Sequence, residues 1–335
     1  MTCAEPFVDV PRPPAKRIEI HMGARCNNRC VFCMSADRRD RHEPWATLGR
    51  IRAELELFRK RGCVSVGFLG GEPTVHPHIL ESVAHAKKLG YERIAICTNG
   101  TRLADRAFCE RLVEAGVTRV TISIHSHLAE VEDALTRVPG NHAKKVAGIG
   151  NMTALRKAGR LPDNISLNPV FSRRNMGSLK EYVQFFAGLG IDDVRFNFIW
   201  PHGEVPADRT WIPTYREAMP HAVRLMLLRE RGVVKSHLTF GAVPKCMLRL
   251  AGVKGKLLDH LGSRYLDEAA FDPSNDVSMA NMEGRPEDRF SWQEVKRDVF
   301  KTMSPRCREC RFYSSCDGVW KSYAELYGLG ELCPQ

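Results

Sequence analysis

About the first two hundred residues alternate between two rhythms. Short runs dense in Ile, Val and Phe, often apolar at every second position, predict strands. Longer runs with apolar residues three and four apart predict helices. Residues 17–22 alternate and predict a first strand. Residues 48–61 set Ile51, Leu55, Leu57 and Phe58 on one side of a helix. A strand over 64–69 runs into the turn Gly70, Gly71, Glu72, Pro73. A helix over 79–89 ends at Gly90, as helices commonly end at glycine. A strand over 93–97 runs into Thr98, Asn99 and Gly100. Then follow a helix over 104–115 closed by Gly116, a strand over 119–124 and a helix over about 142–158. A strand over 164–171, a helix over 179–189 and a strand over 193–200 complete the series.

Six β/α units in succession predict an α/β fold, a partial (β/α)6 TIM-like barrel with right-handed crossovers. Ligands in such folds sit beyond the carboxyl ends of the strands. The segments that follow the first four strands would therefore converge on one mouth. After about residue 203 the pattern breaks. Pro201, Pro206, Pro213 and Pro220 punctuate a transition, 215–231 reads as a helix, and 263–292 has too little periodicity to be more than loop. The expected organisation is an N-terminal tail over 1–16, a core over 17–202 and a C-terminal region over 203–335.

Hydrophobic residues make up 43% and charged residues 27%, the balance of a chain with a real core. No apolar run nears the ~20 residues that span a bilayer, and residues 1–16 lack the apolar stretch of a secretory signal. The expected location is the cytoplasm, away from membranes. There the twelve cysteines favour metal ligation or burial over disulfides. The net charge is +11, but lysines and arginines are spread along the chain. This dispersal argues against nucleic acid as a partner.

Cys26, Cys30 and Cys33 follow the first strand at the spacing Cys-x3-Cys-x2-Cys, with Phe32 before the third. Three thiolates on one short loop can hold three corners of a [4Fe–4S] cube and leave one iron open. A structural zinc site, which usually shows four ligands, and a disulfide pair are the alternatives. The end of the chain carries Cys307, Cys310 and Cys316, with Cys246 upstream and Cys333 near the tail. Cys63, Cys97 and Cys109 fall in predicted strands or helices and read as core; Cys3 falls in the tail. His125 and His202 follow strands but have no ligand-spaced partner.

The cysteine loop, with Gly70-Gly71-Glu72-Pro73 after the second strand, Thr98-Asn99-Gly100 after the third and Ser123 to His125 after the fourth, resembles the radical SAM enzymes over roughly residues 15–200. The resemblance implies that Cys26, Cys30 and Cys33 hold a [4Fe–4S] cluster whose open iron chelates S-adenosylmethionine. Gly70, Gly71, Glu72 and Pro73 would hold the methionine amino group, Ser123 and Arg137 its carboxylate, and Asn168 the ribose. Val170 or the backbone at Phe196 would pack on the adenine. Thr98, Asn99 and His125 would complete the cofactor site. The reaction implied is one-electron cleavage of S-adenosylmethionine to a 5′-deoxyadenosyl radical, which removes hydrogen from a substrate carbon. A one-electron donor such as flavodoxin or ferredoxin would serve as partner.

The later cysteines resemble the subfamily with a SPASM or Twitch C-terminal extension. Position 320, where a further cysteine is expected, is Trp320. One auxiliary [4Fe–4S] cluster is therefore implied, forming an iron–sulfur cap on Cys246, Cys307, Cys310 and Cys316, with Cys333 as the other candidate for the fourth ligand. A four-cysteine zinc site is the alternative. About 16 residues precede the first strand, too few for a leader-binding domain with its own core. That leans toward a small-molecule substrate, sugar- or aminocyclitol-like, or a peptide delivered separately. A tRNA-modifying enzyme and a non-enzymatic iron–sulfur or zinc protein are the other function classes.

Overall fold

The computed structural model describes residues 17–36, 44–202, 209–266, 277–279, 290–291 and 295–335. The expected tail over 1–16 and most of the expected loop over 263–292 lie outside the described residues.

The alternating segments form the expected parallel strands: β1 Arg17–His21, β2 Ser65–Leu69, β3 Arg93–Thr98 and β4 Arg119–Ile122. These are joined through α1 Leu48–Lys60, α2 Ile79–Lys88 and α3 Arg106–Ala115. After β4 come two helices, α4 Ala129–Thr136 and α5 Asn141–Lys157. Only the second was expected from the sequence; the first is a helix of eight residues. Strands β5 Ile165–Leu167 and β6 Val170–Phe171 share one edge of β7 Asp193–Phe198, with α6 Leu179–Gly188 between β6 and β7. One continuous strand was expected over 164–171. It is interrupted at Asn168 and Pro169, where proline has no N–H to give the ladder.

The parallel sheet does not stop at residue 202. After α7 Tyr215–Glu230, β8 His237–Gly241 pairs parallel with the free edge of β7. Pro220, expected to punctuate the transition, lies inside α7. Helix α8, Gly255–Tyr265, follows. At the opposite edge β9 Val277–Met279 runs parallel to β1, and β10 Phe290–Ser291 pairs antiparallel with β9. Among the described residues β8 and β10 do not pair, so the sheet curls as a partial barrel and stays open. The short ladder of β11 Lys301–Thr302 with β12 Val319–Trp320, and helix α9 Lys321–Tyr327, lie in the cysteine-rich end.

The register assigns opposite chemistry to the two faces. Ile18, Val66, Ile94, Val120, Ile165, Val194 and Leu238 are all buried and lie on one face. They share one core with Ile51 and Leu55 of α1, Val83 of α2, Leu112 of α3 and Val183 of α6. The other face is polar. Arg119 donates to Ser166 Oγ at 3.1 Å and to Asp193 at 2.9 Å. Burial opposes the Asp193 charge, but His237, Arg195 and Arg119 outweigh it and hold this carboxyl at about 2. Gly67 leaves room for Glu19, whose carboxylate a Cβ there would strike.

An ion pair inside the fold ties β4 to the two helices after it. Lys145 and Glu132 are fully buried, with Nζ and Oε1 2.5 Å apart. Lys145 also donates to the Ser123 carbonyl at 2.9 Å. The other Glu132 oxygen accepts the N–H groups of His125 and Ser126, at 2.6 and 2.9 Å. Burial pushes the Glu132 carboxyl up, yet Lys145, His125 and the donated hydrogen bonds bring it below the usual range. Removing one partner of such a pair leaves the other charged and dry. Glu132→Ala is therefore expected to lower stability by about 3–5 kcal/mol, while Lys145→Met with Glu132→Leu recovers most of that loss. Urea unfolding of the two variants checks this. Equal losses in both would show that the pair itself is not what matters.

Candidate active site

The cysteine loop is stitched on three sides to the carboxyl ends of the strands. Met22 N–H donates to the Leu69 carbonyl at 2.7 Å, so the loop leaves β1 still paired with β2. Gly71 N–H then reaches Gly23 O at 2.6 Å and Glu72 N–H reaches Arg25 O at 2.9 Å. This close approach explains the two glycines. Gly70 has φ +144°, and a Cβ on Gly71 would strike the carbonyl oxygens of Ala24 and Arg25. The third side is the end of α4, whose Thr136 and Leu135 carbonyls accept Arg29 and Val31 N–H at 3.0 and 3.1 Å. Asn141 adds a 2.8 Å bond to Asn28.

Glu72 was expected to offer its carboxylate to an ammonium group. It is buried and accepts hydrogen bonds from within the chain. Oε1 accepts Thr74 N–H at 3.0 Å, Thr74 Oγ1 at 2.5 Å and Thr98 Oγ1 at 2.6 Å; Oε2 accepts Asn99 N–H at 2.6 Å. Burial pushes this carboxyl upward against the pull of those donors. The result is a brace that joins the Gly-Gly-Glu-Pro turn to the end of β3. Pro73 opens the short 3-10 turn Pro73–Val75 beside it and is buried.

Asn99 carries the brace on to sulfur. Its Nδ2 bonds Asn27 Oδ1 at 2.7 Å and reaches Cys26 Sγ at 3.7 Å, while Asn28 N–H donates to the same sulfur at 3.3 Å. Burial first, then the Glu72 carboxylate, raises the Cys26 thiol to about 11. Burial raises Cys30 to about 12, and the Lys145 ammonium pulls hardest the other way. A bound cation would reverse this, because metal binding draws the proton off a thiol.

The remaining expected site residues are placed as follows. Ser123 ends β4 partly exposed and gives its carbonyl to Lys145. His125 lies edge-on to Phe32 with ring centres 4.9 Å apart, and its Nδ1 accepts Val170 N–H at 3.1 Å. Its ring is thus engaged with the cysteine loop and with β6. Burial depresses it to about 4, so it is neutral at pH 7. Arg137 is exposed, with left-handed backbone at φ 54°, and caps α4 next to the carbonyls that hold the loop. Asn168 accepts from the Asn197 amide on the polar face, away from the cysteines' own network. Phe196 points its ring into the apolar core, leaving only its backbone on the ladder with β8. Sequence reasoning missed Lys145, Glu132 and Asn141. Glu132 lies on the unpredicted helix over 129–136, while Asn141 and Lys145 open α5 and carried no spacing that marked them.

The C-terminal cysteines line a small cavity of about 20 Å³, with Cys246, Cys307, Cys310 and Cys316 around it and Phe312 and Lys245 at its wall. Four cysteine sulfurs on one lining are a donor set suited to a thiolate-bound metal group. Burial raises Cys246 to about 12 and raises Cys316. Cys333 is not on the lining. Its sulfur turns to the Glu331 carbonyl at 3.3 Å. Trp320 stacks on Trp200, just past β7, with ring centres 4.5 Å apart. That stack seams the cysteine-rich end to the barrel mouth. Among the described residues no His, Cys, Asp or Glu donors are gathered for a single ion.

The description of the Radical SAM superfamily matches residues 20–186, the stretch that holds the loop, the glycine turn and the Glu72 brace. The chain belongs to the radical SAM superfamily. Members of this superfamily are enzymes. The chain is 30% identical over 191 residues to a probable GTP 3′,8-cyclase of Saccharolobus solfataricus, covering 57% of this chain and 59% of that relative. A probable GTP 3′,8-cyclase of Thermococcus kodakarensis is 30% identical over 178 residues, covering 53% and 55%. The match thus spans less than two thirds of these relatives. Among solved structures, Streptococcus suis SuiB bound to S-adenosylmethionine superposes with TM-score 0.63 at 15% identity, covering 96% of this chain and 77% of that one. The protein anSMEcpe, with bound AdoMet and Cp18Cys peptide, superposes with TM-score 0.61 at 15% identity, covering 96% of each. At such identities the likeness is one of fold.

Glu72→Ala would leave the Asn99 N–H and two hydroxyls buried without an acceptor. It is expected to cost about 1–3 kcal/mol of stability as well as weaken S-adenosylmethionine binding. Urea unfolding and calorimetry read the two effects; unchanged stability would remove the brace. His125 supplies a pH test. Its folded value of about 4 lies below the ordinary 6.5, so the unfolded chain binds the proton first. Its stabilisation is full above pH 6.5 and drains away as pH falls toward 4, by up to about 3 kcal/mol. The stability difference between wild type and His125→Gln should shrink by that amount between pH 7 and 4. A constant difference would contradict a buried neutral ring.

Proposed function

We propose that the protein uses S-adenosylmethionine and a [4Fe–4S] cluster on Cys26, Cys30 and Cys33 to abstract hydrogen from a substrate carbon. A second [4Fe–4S] group in the C-terminal cavity, of the SPASM or Twitch kind, would assist substrate oxidation. The observation that carries this reading is the Glu72 brace, which fuses the glycine turn, the end of β3 and Cys26 into one hydrogen-bonded unit. When bound, the two cofactors supply one-electron reductive chemistry strong enough to start hydrogen removal at an unactivated carbon.

The chain's own residues provide the setting. Asn28 and Asn99 direct donors at the Cys26 sulfur. Lys145 brings positive charge near Cys30, which favours the thiolate form that iron needs. Phe32 and His125 pack edge-on beside the loop. Cys246, Cys307, Cys310 and Cys316 supply four sulfurs to the second cavity. Full ligation by four cysteines favours electron transfer over substrate binding there.

The polar inner face, with Arg195, Asn197 and Asn168, suits a polar substrate, either a small molecule or a peptide. Two relatives point different ways. The curated relatives are named as GTP cyclases, whereas SuiB has been seen bound to the precursor peptide SuiA. A flavodoxin- or ferredoxin-like donor and a cytoplasmic location complete the reading. Among the described residues no helix is long and apolar enough to cross a membrane.

Anaerobic reconstitution is expected to give about eight irons per chain, two cubes of four. Replacing Cys26, Cys30 and Cys33 with Ala should remove about half and abolish S-adenosylmethionine cleavage. Cys246→Ala should lose iron from the second site yet still cleave S-adenosylmethionine, while Cys333→Ala keeps its iron. Cleavage by the triple variant would sink the first assignment, and zinc in the second site would end its electron-transfer role.

A further inference from the structure

The end of the chain is built into the C-terminal cavity, and it meets Cys310 through a backbone N–H group. Gln335 N–H donates to Cys310 Sγ at 3.3 Å. The Cys333 backbone lies near the Cys246 sulfur. From the other side Gly318 N–H donates to Cys316 Sγ at 3.3 Å. One of the four lining sulfurs thus takes its donor from the stretch that ends at Gln335.

That stretch is fixed by contacts that involve no cysteine side chain. The Glu331 carboxylate caps the first turn of α7, accepting Tyr215 N–H at 3.1 Å and Arg216 N–H at 2.9 Å. It also accepts the Tyr323 hydroxyl. At the far side the Gln335 carbonyl accepts Arg311 N–H at 2.9 Å. The position of the stretch is therefore set from outside the cavity, and its donor is held ready.

A buried N–H needs an acceptor, but a carbonyl would serve as well for packing. A donor aimed at sulfur does more. Adding an electron to an iron–sulfur group raises the negative charge on its sulfurs, and hydrogen bonds to those sulfurs stabilise the reduced form. We propose that residues 331–335 are a strap whose Gln335 N–H, aimed at the Cys310 sulfur, sets the reduction potential of the iron–sulfur group in this cavity. The proposal rests on the reading that the cavity holds such a group. Cys333 then belongs to the strap and is not a ligand.

The test uses the full chain with Cys26, Cys30 and Cys33 replaced by Ala, so that all cluster iron reports the C-terminal site. Midpoint potentials are read by dye-mediated titration followed by electron paramagnetic resonance. Gln335→Pro removes the N–H and is expected to keep its iron and shift the midpoint to a more negative value. Gln335→Ala keeps the N–H and is expected to stay at the parent midpoint. Glu331→Ala frees the strap from α7 and is expected to shift the midpoint the same way as Gln335→Pro. Should Gln335→Pro fail to hold iron, the Glu331→Ala midpoint decides alone. Unchanged midpoints with iron retained overturn the strap and leave the reading of the cavity standing. Loss of iron from both variants shows a seal only and overturns the strap as well, as does loss of iron from Cys333→Ser. A parent without iron, or with zinc, overturns the reading of the cavity itself.

Discussion

Taking a carboxylate out of water is costly unless donors replace the lost solvent, and the mouth of this protein depends on one carboxylate for which they do. Glu72 collects donors from Thr74, Thr98 and Asn99. Those residues come from two neighbouring strand ends. Because a buried acceptor left without its donors is so unfavourable, the two ends cannot drift apart independently. Asn99 then extends the constraint to Asn27 and Cys26. The glycine turn has a structural reason of its own, since only glycine lets β2's end lie against the backbone of the cysteine loop.

A second buried carboxylate holds the other side of that loop. Glu132, paired with Lys145, accepts the backbone N–H groups after β4 and fixes α4 and α5 against the sheet. The end of α4 in turn accepts N–H groups from the loop. The three cysteines therefore sit between two rigid anchors, one acting through Asn99 and one through α4. This arrangement also explains the chemical contrast between the sheet's faces. The apolar face packs helices and supplies stability, leaving the opposite face free to carry charges and the mouth.

At the far end the same economy of parts recurs. The parallel sheet continues into β8, and the chain turns from there directly toward Cys246. Ala242, with φ 59°, makes that turn while its carbonyl is held by the Tyr215 hydroxyl at 2.9 Å. Trp320 stands where a further cysteine was expected and stacks on Trp200. A seam between core and C-terminal region replaces a metal ligand there.

The parallel α/β core was legible in the sequence because a two-residue rhythm followed by a three-and-four rhythm leaves little choice of element. The cysteine spacing and the glycine turn were legible too, since short-range chemistry is written in consecutive residues. What escaped was long-range. Helix α4 is only eight residues long and is held by an ion pair between Glu132 and Lys145, thirteen positions apart, so its sequence alone is quiet. Glu72 reads as a cofactor contact from its motif; only the approach of β3 shows that it is also buried among donors. The interruption at Pro169 needed the register of β7 to show which pairing the proline breaks. Cys246 and Cys333 were equivalent by spacing. Tertiary structure separated them by turning one sulfur into the cavity and the other toward a carbonyl, a choice set by how the tail is anchored on α7.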